Sequence, residues 1–240
     1  MPRTSSRILR RPGSRLFAQG NRARDNGQLA RAEEFYRRSL DVRIRRLGNR
    51  HPDTAQTLNQ LANLLTDRER FSEAEPLYRQ ALAIRRATLG TPHRDVAATL
   101  SNLANVAQST GRFAEAEKLY QHSLRMRRRV YGAQHENVAM CLANLAILFQ
   151  ATRRFDAAED YFRQALAMLE QTVGSHDQLM AFTRANFADF LRHAARPAEA
   201  RPLAQQALSD LRKILPPQHR YVKWARRVWK SVKSVPAVRS

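Results

Sequence analysis

Apolar residues recur along the chain with the spacing of one face of an α-helix. Leu58, Leu61, Ala62 and Leu65 stand at positions i, i+3, i+4 and i+7, which places them on a single helical stripe. A second, longer stripe follows after a short polar stretch, and it contains Phe71, Ala74, Leu77, Tyr78, Ala81, Leu82 and Ile84. Two consecutive amphipathic helices joined by a short turn predict a helical hairpin.

The hairpin pattern repeats with a fixed period. Glycines end successive blocks 42 residues apart, and the motif Asn/Gln-Leu/Phe-Ala and a single alanine keep the same spacing. The glycines are Gly48, Gly90, Gly132 and Gly174, the motif starts at Gln60, Asn102, Asn144 and Asn186, and the alanines are Ala32, Ala74, Ala116, Ala158 and Ala200. Because one hairpin cannot bury its apolar face alone, the stacked copies predict an all-α solenoid.

The period also predicts the organisation of the chain. We expect a basic, disordered arm at residues 1–13, a repeat region at 14–218, a terminal helix at 219–233 that caps the stack, and a tail at 234–240. The five predicted hairpins cover residues 14–48, 53–90, 95–132, 137–174 and 178–215.

Two local features refine this picture. Asp53, Asp95 and Asn137 stand at one repeat position before the first helix of a hairpin, where their side chains are predicted to cap its free N–H groups. In the fifth hairpin, Ala204 replaces the Tyr or Phe of the other four, and Pro197 replaces an aromatic residue. The last interface is therefore expected to pack less tightly.

Composition excludes several classes of protein. Hydrophobic residues make up 43% of the 240 positions, mean hydropathy is −0.58, and no apolar run approaches the roughly eighteen residues of a membrane span. The single cysteine, Cys141, argues against a disulfide framework and favours a reduced, cytoplasmic protein. The N-terminus lacks the apolar segment of a signal peptide.

Charge is concentrated at the two ends of the chain. The net charge of +21 divides into +10 for residues 1–50, +2 for 51–210 and +9 for 211–240. Basic ends favour an anionic partner. Trp224 and Trp229 lie among the C-terminal cations, a combination that suits nucleic acid. The alternative is that the two tryptophans pack beneath a charged outer face of the terminal helix.

The residues at repeated positions resemble a known family. Leu61-Ala62-x2-Leu65 and Ala74-x3-Tyr78-x2-Ala81 are similar to the tetratricopeptide repeat (TPR), and the 42-residue period resembles the long repeats of kinesin light chains. The resemblance covers roughly residues 14–233. It implies antiparallel helix pairs stacked into a right-handed superhelix of about five hairpins, whose first helices line a concave groove.

The resemblance also implies a peptide-binding groove rich in carboxamides. An Asn side chain donates and accepts at once, so it can pair with the main chain of an extended peptide. The alternative is that these residues support helix ends. The predicted groove residues are Asn59, Gln60, Asn63, Ser101, Asn102, Asn105, Gln108, Asn144, Ile147, Gln150, Asn186, Asp189 and Arg192.

Arginines on the second helices form another repeated set. Arg43, Arg85 and Arg127 share one position, with further arginines beside them. They predict either a cationic rim that favours acidic peptides or a solvated helix face.

No catalytic, cofactor or metal site is predicted. His51, His93, His135 and His219 recur near helix starts on successive hairpins, on the order of 10 Å apart, too far for one ion, so we assign them structural roles. Cys141 lies in an apolar stretch without a partner base. The sequence contains no phosphate-binding glycine loop or hydrolase motif.

The sequence therefore predicts a non-catalytic adaptor that binds a partner protein or peptide in its groove. Two other functions stay open: a nucleic-acid-associated protein that uses its basic ends, and a platform for self-association or for an enzymatic domain encoded elsewhere.

Overall fold

The computed structural model describes residues 11–173 and 177–234, which form eleven α-helices and no strand. The predicted all-α architecture is confirmed. Gly174, His176, most of the predicted basic arm and nearly all of the predicted tail lie outside the described residues. The helices are α1 (Ser14–Asp25), α2 (Leu29–Leu47), α3 (Pro52–Asp67), α4 (Phe71–Leu89), α5 (Arg94–Ser109), α6 (Phe113–Tyr131), α7 (Glu136–Ala151), α8 (Phe155–Thr172), α9 (Gln178–His193), α10 (Pro197–Ile214) and α11 (Arg220–Ser234).

The chain divides into two compact units after Leu119, within α6. In unit 1, α1 packs on α2 and α3 on α4, and α2 and α4 each contact the first helix of the next hairpin. In unit 2, α7 packs on α8 and α9 on α10, while α11 covers α9 and α10. The first helices of neighbouring hairpins also touch, α3 with α5 and α7 with α9.

Small residues at repeated positions allow close packing within the hairpins. Ala62 and Ala74 are fully buried, as are the alanines 42 and 84 residues further on. In the first hairpin Gly20 takes the place of Ala62, and a Cβ there would lie 2.6 Å from the Tyr36 ring. Large side chains at one repeat position, Tyr36, Tyr78, Tyr120 and Phe162, are almost completely enclosed.

The N-terminal caps differ from the prediction. His51, His93 and His135 accept a hydrogen bond at Nδ1 from the backbone N–H two residues on, at 3.0–3.1 Å. The assignment of the caps to Asp53, Asp95 and Asn137 is wrong, because these residues lie inside the first helical turn and supply the donated N–H groups. In the fifth hairpin Asp177 caps α9 instead, 2.6 Å from the N–H of Leu179.

Each hairpin turn contains one residue with left-handed backbone geometry. Two of the five are glycine, and the other three are not, although L-residues are strained in this region. The five residues, 42 apart, are Gly27 (φ 73), Glu69 (φ 58), Gly111 (φ 77), Arg153 (φ 58) and Ala195 (φ 57).

Ion pairs connect successive hairpins at a constant spacing. A glutamate on a second helix contacts an arginine 37 residues later, just before the next second helix, as in Glu75–Arg112 at 2.6 Å. The same arginine binds a glutamate three residues further on, Glu115 in this example, at 3.0 Å. The equivalent interhairpin pairs are Glu33–Arg70 at 2.7 Å and Glu159–Arg196 at 2.6 Å.

A surface groove of about 510 Å³ lies between α8 and α10, where the fourth and fifth hairpins meet. Phe187 and Leu191 on α9 are among its lining residues. Ala204 is buried nearby in α10.

Arg184 and Asp210 form a buried ion pair at 3.1 Å between α9 and α10. Earlier hairpins have apolar residues at both positions, Leu142 and Met168 in the preceding one.

Candidate functional site

In unit 1, the carboxamides of the predicted groove bind one another. Asn102 Nδ2 on α5 donates to Asn63 Oδ1 on α3 at 3.0 Å, and Asn63 Nδ2 donates to Gln60 Oε1 at 3.2 Å. Arg24 on α1 donates to the same Gln60 oxygen at 3.0 Å. These bonds form a chain across the first helices of three successive hairpins, which we call the amide ladder. Its members use part of their hydrogen-bonding capacity within the protein.

Asn63 has a second task in the interior. It accepts a hydrogen bond of 2.7 Å from the phenol of Tyr78, one of the largest buried side chains of the protein. Burial raises the pKa of Tyr78 to about 12, so the phenol stays protonated and needs an acceptor. Tyr36 and Asn21 make the same 2.7 Å bond one hairpin earlier. The asparagine at this position thus satisfies a buried tyrosine.

Four further predicted groove residues of unit 1 have different environments. Asn59 is 7% exposed, and its Oδ1 accepts from Arg85 at 3.1 Å. Ser101 is also buried, at 4% exposed. Asn105 is exposed and Gln108 is half-buried at the end of α5. Asn59 and Ser101 therefore lie beneath the surface of α3 and α5, while Asn105 and Gln108 reach solvent.

In unit 2, α7 carries polar groups that the protein does not use. Asn144 and Gln150 are half-buried, and within residues 11–173 and 177–234 neither carboxamide makes a hydrogen bond. Ile147 lies between them, one helical turn from each. We call these three residues the α7 row. The row combines an apolar side chain with two carboxamides whose donors and acceptors are available.

The change from Asn63 to Ile147 at one repeat position follows a change in the core. Phe162 takes the place of Tyr78, so no buried hydroxyl needs an acceptor. Phe162 instead stacks on Phe187 with ring centroids 5.3 Å apart and contacts Phe190 at 5.8 Å. The isoleucine is therefore compatible with an aromatic core in unit 2.

Groove residues on α9 are bound locally. Asn186 Nδ2 donates to the Phe182 carbonyl of its own helix at 3.0 Å. Asp189 accepts from Arg192 at 2.9 Å. All three side chains are half-buried, and their helix, α9, contacts α7.

The repeated arginines are not a surface feature. Arg43, Arg85 and Arg127 are 3–9% exposed, so both the cationic rim and the solvated face are wrong for them. Arg85 Nη1 donates to the Asp95 carbonyl at 3.1 Å and to Thr99 Oγ1 at 2.6 Å, in the first helix of the next hairpin. Burial lowers the pKa of Arg85. These arginines join one hairpin to the next.

Trp224 and Trp229 pack inward. Both lie against a cluster that includes Ala181, Leu208 and Val222, and Trp224 stacks on Phe182 with ring centroids 5.6 Å apart. Of the two interpretations of these tryptophans, the structure agrees with the one in which they pack beneath the charged outer face of the terminal helix.

The described residues contain no group of three His, Cys, Asp or Glu side chains that could hold a metal ion. None of the helices in this part of the chain is long and apolar enough to cross a bilayer.

Stacked helical hairpins with a 42-residue period define a repeat solenoid protein. Models of the family described as tetratricopeptide repeat match residues 18–87, 95–171 and 183–221. The chain therefore belongs to the tetratricopeptide repeat family, and the predicted kinesin-light-chain-like resemblance is confirmed. No curated protein matches the sequence.

Solved structures share the fold at low sequence identity. A candidate kinesin light chain from Podosopora anserina with nearly identical TPR-like repeats is 23% identical, with 84% of this chain and 97% of that chain covered and a TM-score of 0.65. BtubC (BKLC) from P. vanneervenii is 23% identical over 95% and 84%, with a TM-score of 0.65. The Rap conjugation gene regulator of plasmid pLS20, in complex with the Phr* peptide, is 12% identical over 93% and 59%, with a TM-score of 0.77.

Proposed function

We propose that this protein is a non-catalytic interaction scaffold that binds a partner peptide on the first helices of its hairpins, at the α7 row in particular. Membership of a repeat family built from stacked hairpins supports this function, because such stacks present extended surfaces to partners. Structural neighbours described as Rap proteins in complex with the Phr* peptide and with the Competence and Sporulation Factor also support it.

The α7 row carries the proposal. A partly enclosed amide group without a hydrogen bond is unfavourable unless water or a ligand supplies a hydrogen-bond partner. Asn144 and Gln150 each offer two donors and an acceptor oxygen, which match the N–H and C=O groups of an extended main chain. Ile147 between them provides an apolar contact for a peptide side chain. Main-chain pairing supplies affinity, and the apolar contact supplies selectivity.

The amide ladder contributes less in this proposal. Gln60, Asn63 and Asn102 already bind one another, so fewer of their donors and acceptors are left for a peptide than in the α7 row. Asn105 and Gln108 at the exposed end of α5 remain additional contact candidates. Asn59 and Ser101 are buried, so they would influence peptide binding only through the shape of the surface above them.

Peptide selection followed by calorimetry tests the proposal. A phage-displayed library of random twelve-residue peptides is selected on the full chain, and the best peptide is titrated into the wild type, Asn144→Leu and Gln164→Leu. Gln164 is an exposed carboxamide on second helix α8 and serves as the matched control. We expect Asn144→Leu to weaken binding about tenfold, which corresponds to about 1.4 kcal/mol, and the control to bind like the wild type.

Equal affinity of the Asn144→Leu variant and the wild type would refute the site. Failure to select any peptide would refute peptide binding itself. Circular dichroism of each variant verifies that the helices are intact.

A further inference from the structure

The terminal helix α11 carries charge of one sign only. It contains six cations and no acid in fifteen residues. Lys223, Arg227, Lys230 and Lys233 follow one another at intervals of four, three and three residues, so they lie on one exposed side of the helix. We call these four residues the cationic stripe.

Some arginines on the second helices, unlike the cations of the stripe, have a compensating carboxylate. Arg79 and Arg163 each contact a glutamate four residues earlier at 2.6 Å, which compensates their charge. Within residues 11–173 and 177–234, the side chains of these four residues make no ion pair or hydrogen bond. The positive field of α11 is thus available to an external anion.

The opposite side of α11 is already occupied. Val222, Ala225, Val228 and Val232 are at most 5% exposed, and the two tryptophans pack on the same side against α9 and α10. A ligand on the exposed side therefore meets charged groups and their aliphatic stems, without aromatic rings or an apolar pocket.

We propose that the cationic stripe binds the phosphate backbone of double-stranded nucleic acid without sequence preference. Single strands are bound by stacking on aromatic rings, and here the two tryptophans are partly buried against α9 and α10. A lipid surface is bound by inserting apolar side chains, and the apolar side of α11 is covered. A protein interface draws its affinity from buried anchors that this side of α11 lacks. Phosphate binding, in contrast, can rest on charge alone.

The dimensions of the stripe agree with this partner. From Lys223 to Lys233 the helix rises about 15 Å, at ~1.5 Å per residue. A duplex presents about nine phosphate charges over this length, one per ~1.7 Å of its axis. Each cation of the stripe can therefore neutralise a separate phosphate.

Fluorescence anisotropy with a labelled 24-base-pair DNA duplex of mixed sequence tests the proposal on the full chain. Lys223→Gln/Arg227→Gln/Lys230→Gln is compared with Arg86→Gln/Arg125→Gln/Arg128→Gln, which removes the same charge at exposed positions outside α11. The slope of log affinity against log salt concentration is expected to become shallower by about 2.7 in the α11 variant, since each lost phosphate contact removes about 0.9. The control should keep the wild-type slope.

Three outcomes would overturn the proposal. The first is no binding of the wild type to the duplex at 50 mM salt, and the second is an equal change of slope in the two variants. The third is tighter binding to the separated single strand or to phosphatidylserine vesicles than to the duplex. Retained peptide binding by the α11 variant would separate this surface from the α7 row.

Discussion

The two units use equivalent repeat positions differently. In unit 1, Asn63 satisfies a buried tyrosine and belongs to the amide ladder. In unit 2, the residue at this position is Ile147, and the carboxamide of Asn144, one turn earlier, makes no hydrogen bond in the described part of the chain. A repeat position therefore fixes where a side chain lies, while its partners decide whether it supports the fold or remains open to a ligand.

The cores of the two units differ in the same way. Leu58 and Ile84 belong to an apolar cluster in unit 1, whereas the equivalent positions of the fifth hairpin hold the buried ion pair Arg184–Asp210. A buried pair holds two elements in register, but it is sensitive to the loss of either partner.

Among the substitutions that test this comparison, Asp210→Ala should change the free energy of unfolding most. It leaves Arg184 charged and enclosed, and we expect a loss of about 3–5 kcal/mol in the free energy of unfolding, measured by urea denaturation. The matched variant Arg184→Leu/Asp210→Met copies Leu142 and Met168 of the preceding hairpin and should be close to the wild type in stability. A smaller loss for Asp210→Ala than for the double variant would contradict the coupling of the pair.

Asn63→Ile and Tyr78→Phe convert the polar pair of unit 1 into the Ile147–Phe162 pair of unit 2. Asn63→Ile alone leaves the Tyr78 hydroxyl with only its 3.4 Å contact to Thr66 Oγ1 and should cost about 1–3 kcal/mol. Adding Tyr78→Phe should recover part of this cost, because the buried hydroxyl is removed as well. Additive losses in thermal or urea unfolding would show that the two side chains are not coupled.

Glycine at the strained turn positions should stabilise either unit. Glu69→Gly in unit 1 and Arg153→Gly in unit 2 relieve a positive φ, with an expected gain of about 1 kcal/mol each. Gly111→Ala introduces the same strain and should lose a similar amount. Urea midpoints of the three variants provide the measurement, and a loss of stability in both glycine variants would contradict the assignment of strain.

Acid should weaken the interhairpin ion pairs of both units by a small amount. Hydrogen bonds from Arg112 and Arg196 lower the pKa of Glu75 and Glu159 respectively. A lowered folded-state pKa contributes stability that is present above the ordinary glutamate pKa near 4.5 and is lost as the pH falls through the folded value. Between pH 7 and pH 3, the free energy of unfolding should therefore fall less in Glu75→Gln than in the wild type, by a difference of less than about 1 kcal/mol. Urea unfolding over this pH range measures the difference. An unchanged pH profile would contradict the prediction.

Sequence reasoning identified the fold because the 42-residue period and the helical stripes are properties of the chain itself. It misplaced the caps because Asp and Asn are common N-caps, whereas here histidine Nδ1 takes that role two residues earlier. It also placed Arg85 at the surface, where arginine usually lies.

The three-dimensional contacts of Arg85 had a signal in the chain. Thr57 and Thr99 each follow a repeated arginine by 14 residues, and Arg85 binds Thr99 in the interior. For the candidate site, sequence gave the positions of the carboxamides but not their bonds. The difference between the amide ladder and the α7 row depends on distances between neighbouring helices, which a pattern along one chain does not contain.

The central claim is that a ligand binds the carboxamides of the α7 row rather than those of the amide ladder, which already bind one another. Side-chain amide signals of ¹⁵N-labelled protein, assigned by single Asn or Gln substitutions and recorded with and without the selected peptide, test it directly. We predict that the signals of Asn144 and Gln150 shift on binding while those of Asn63 and Asn102 stay in place. Shifts confined to Asn63 and Asn102 would contradict the claim.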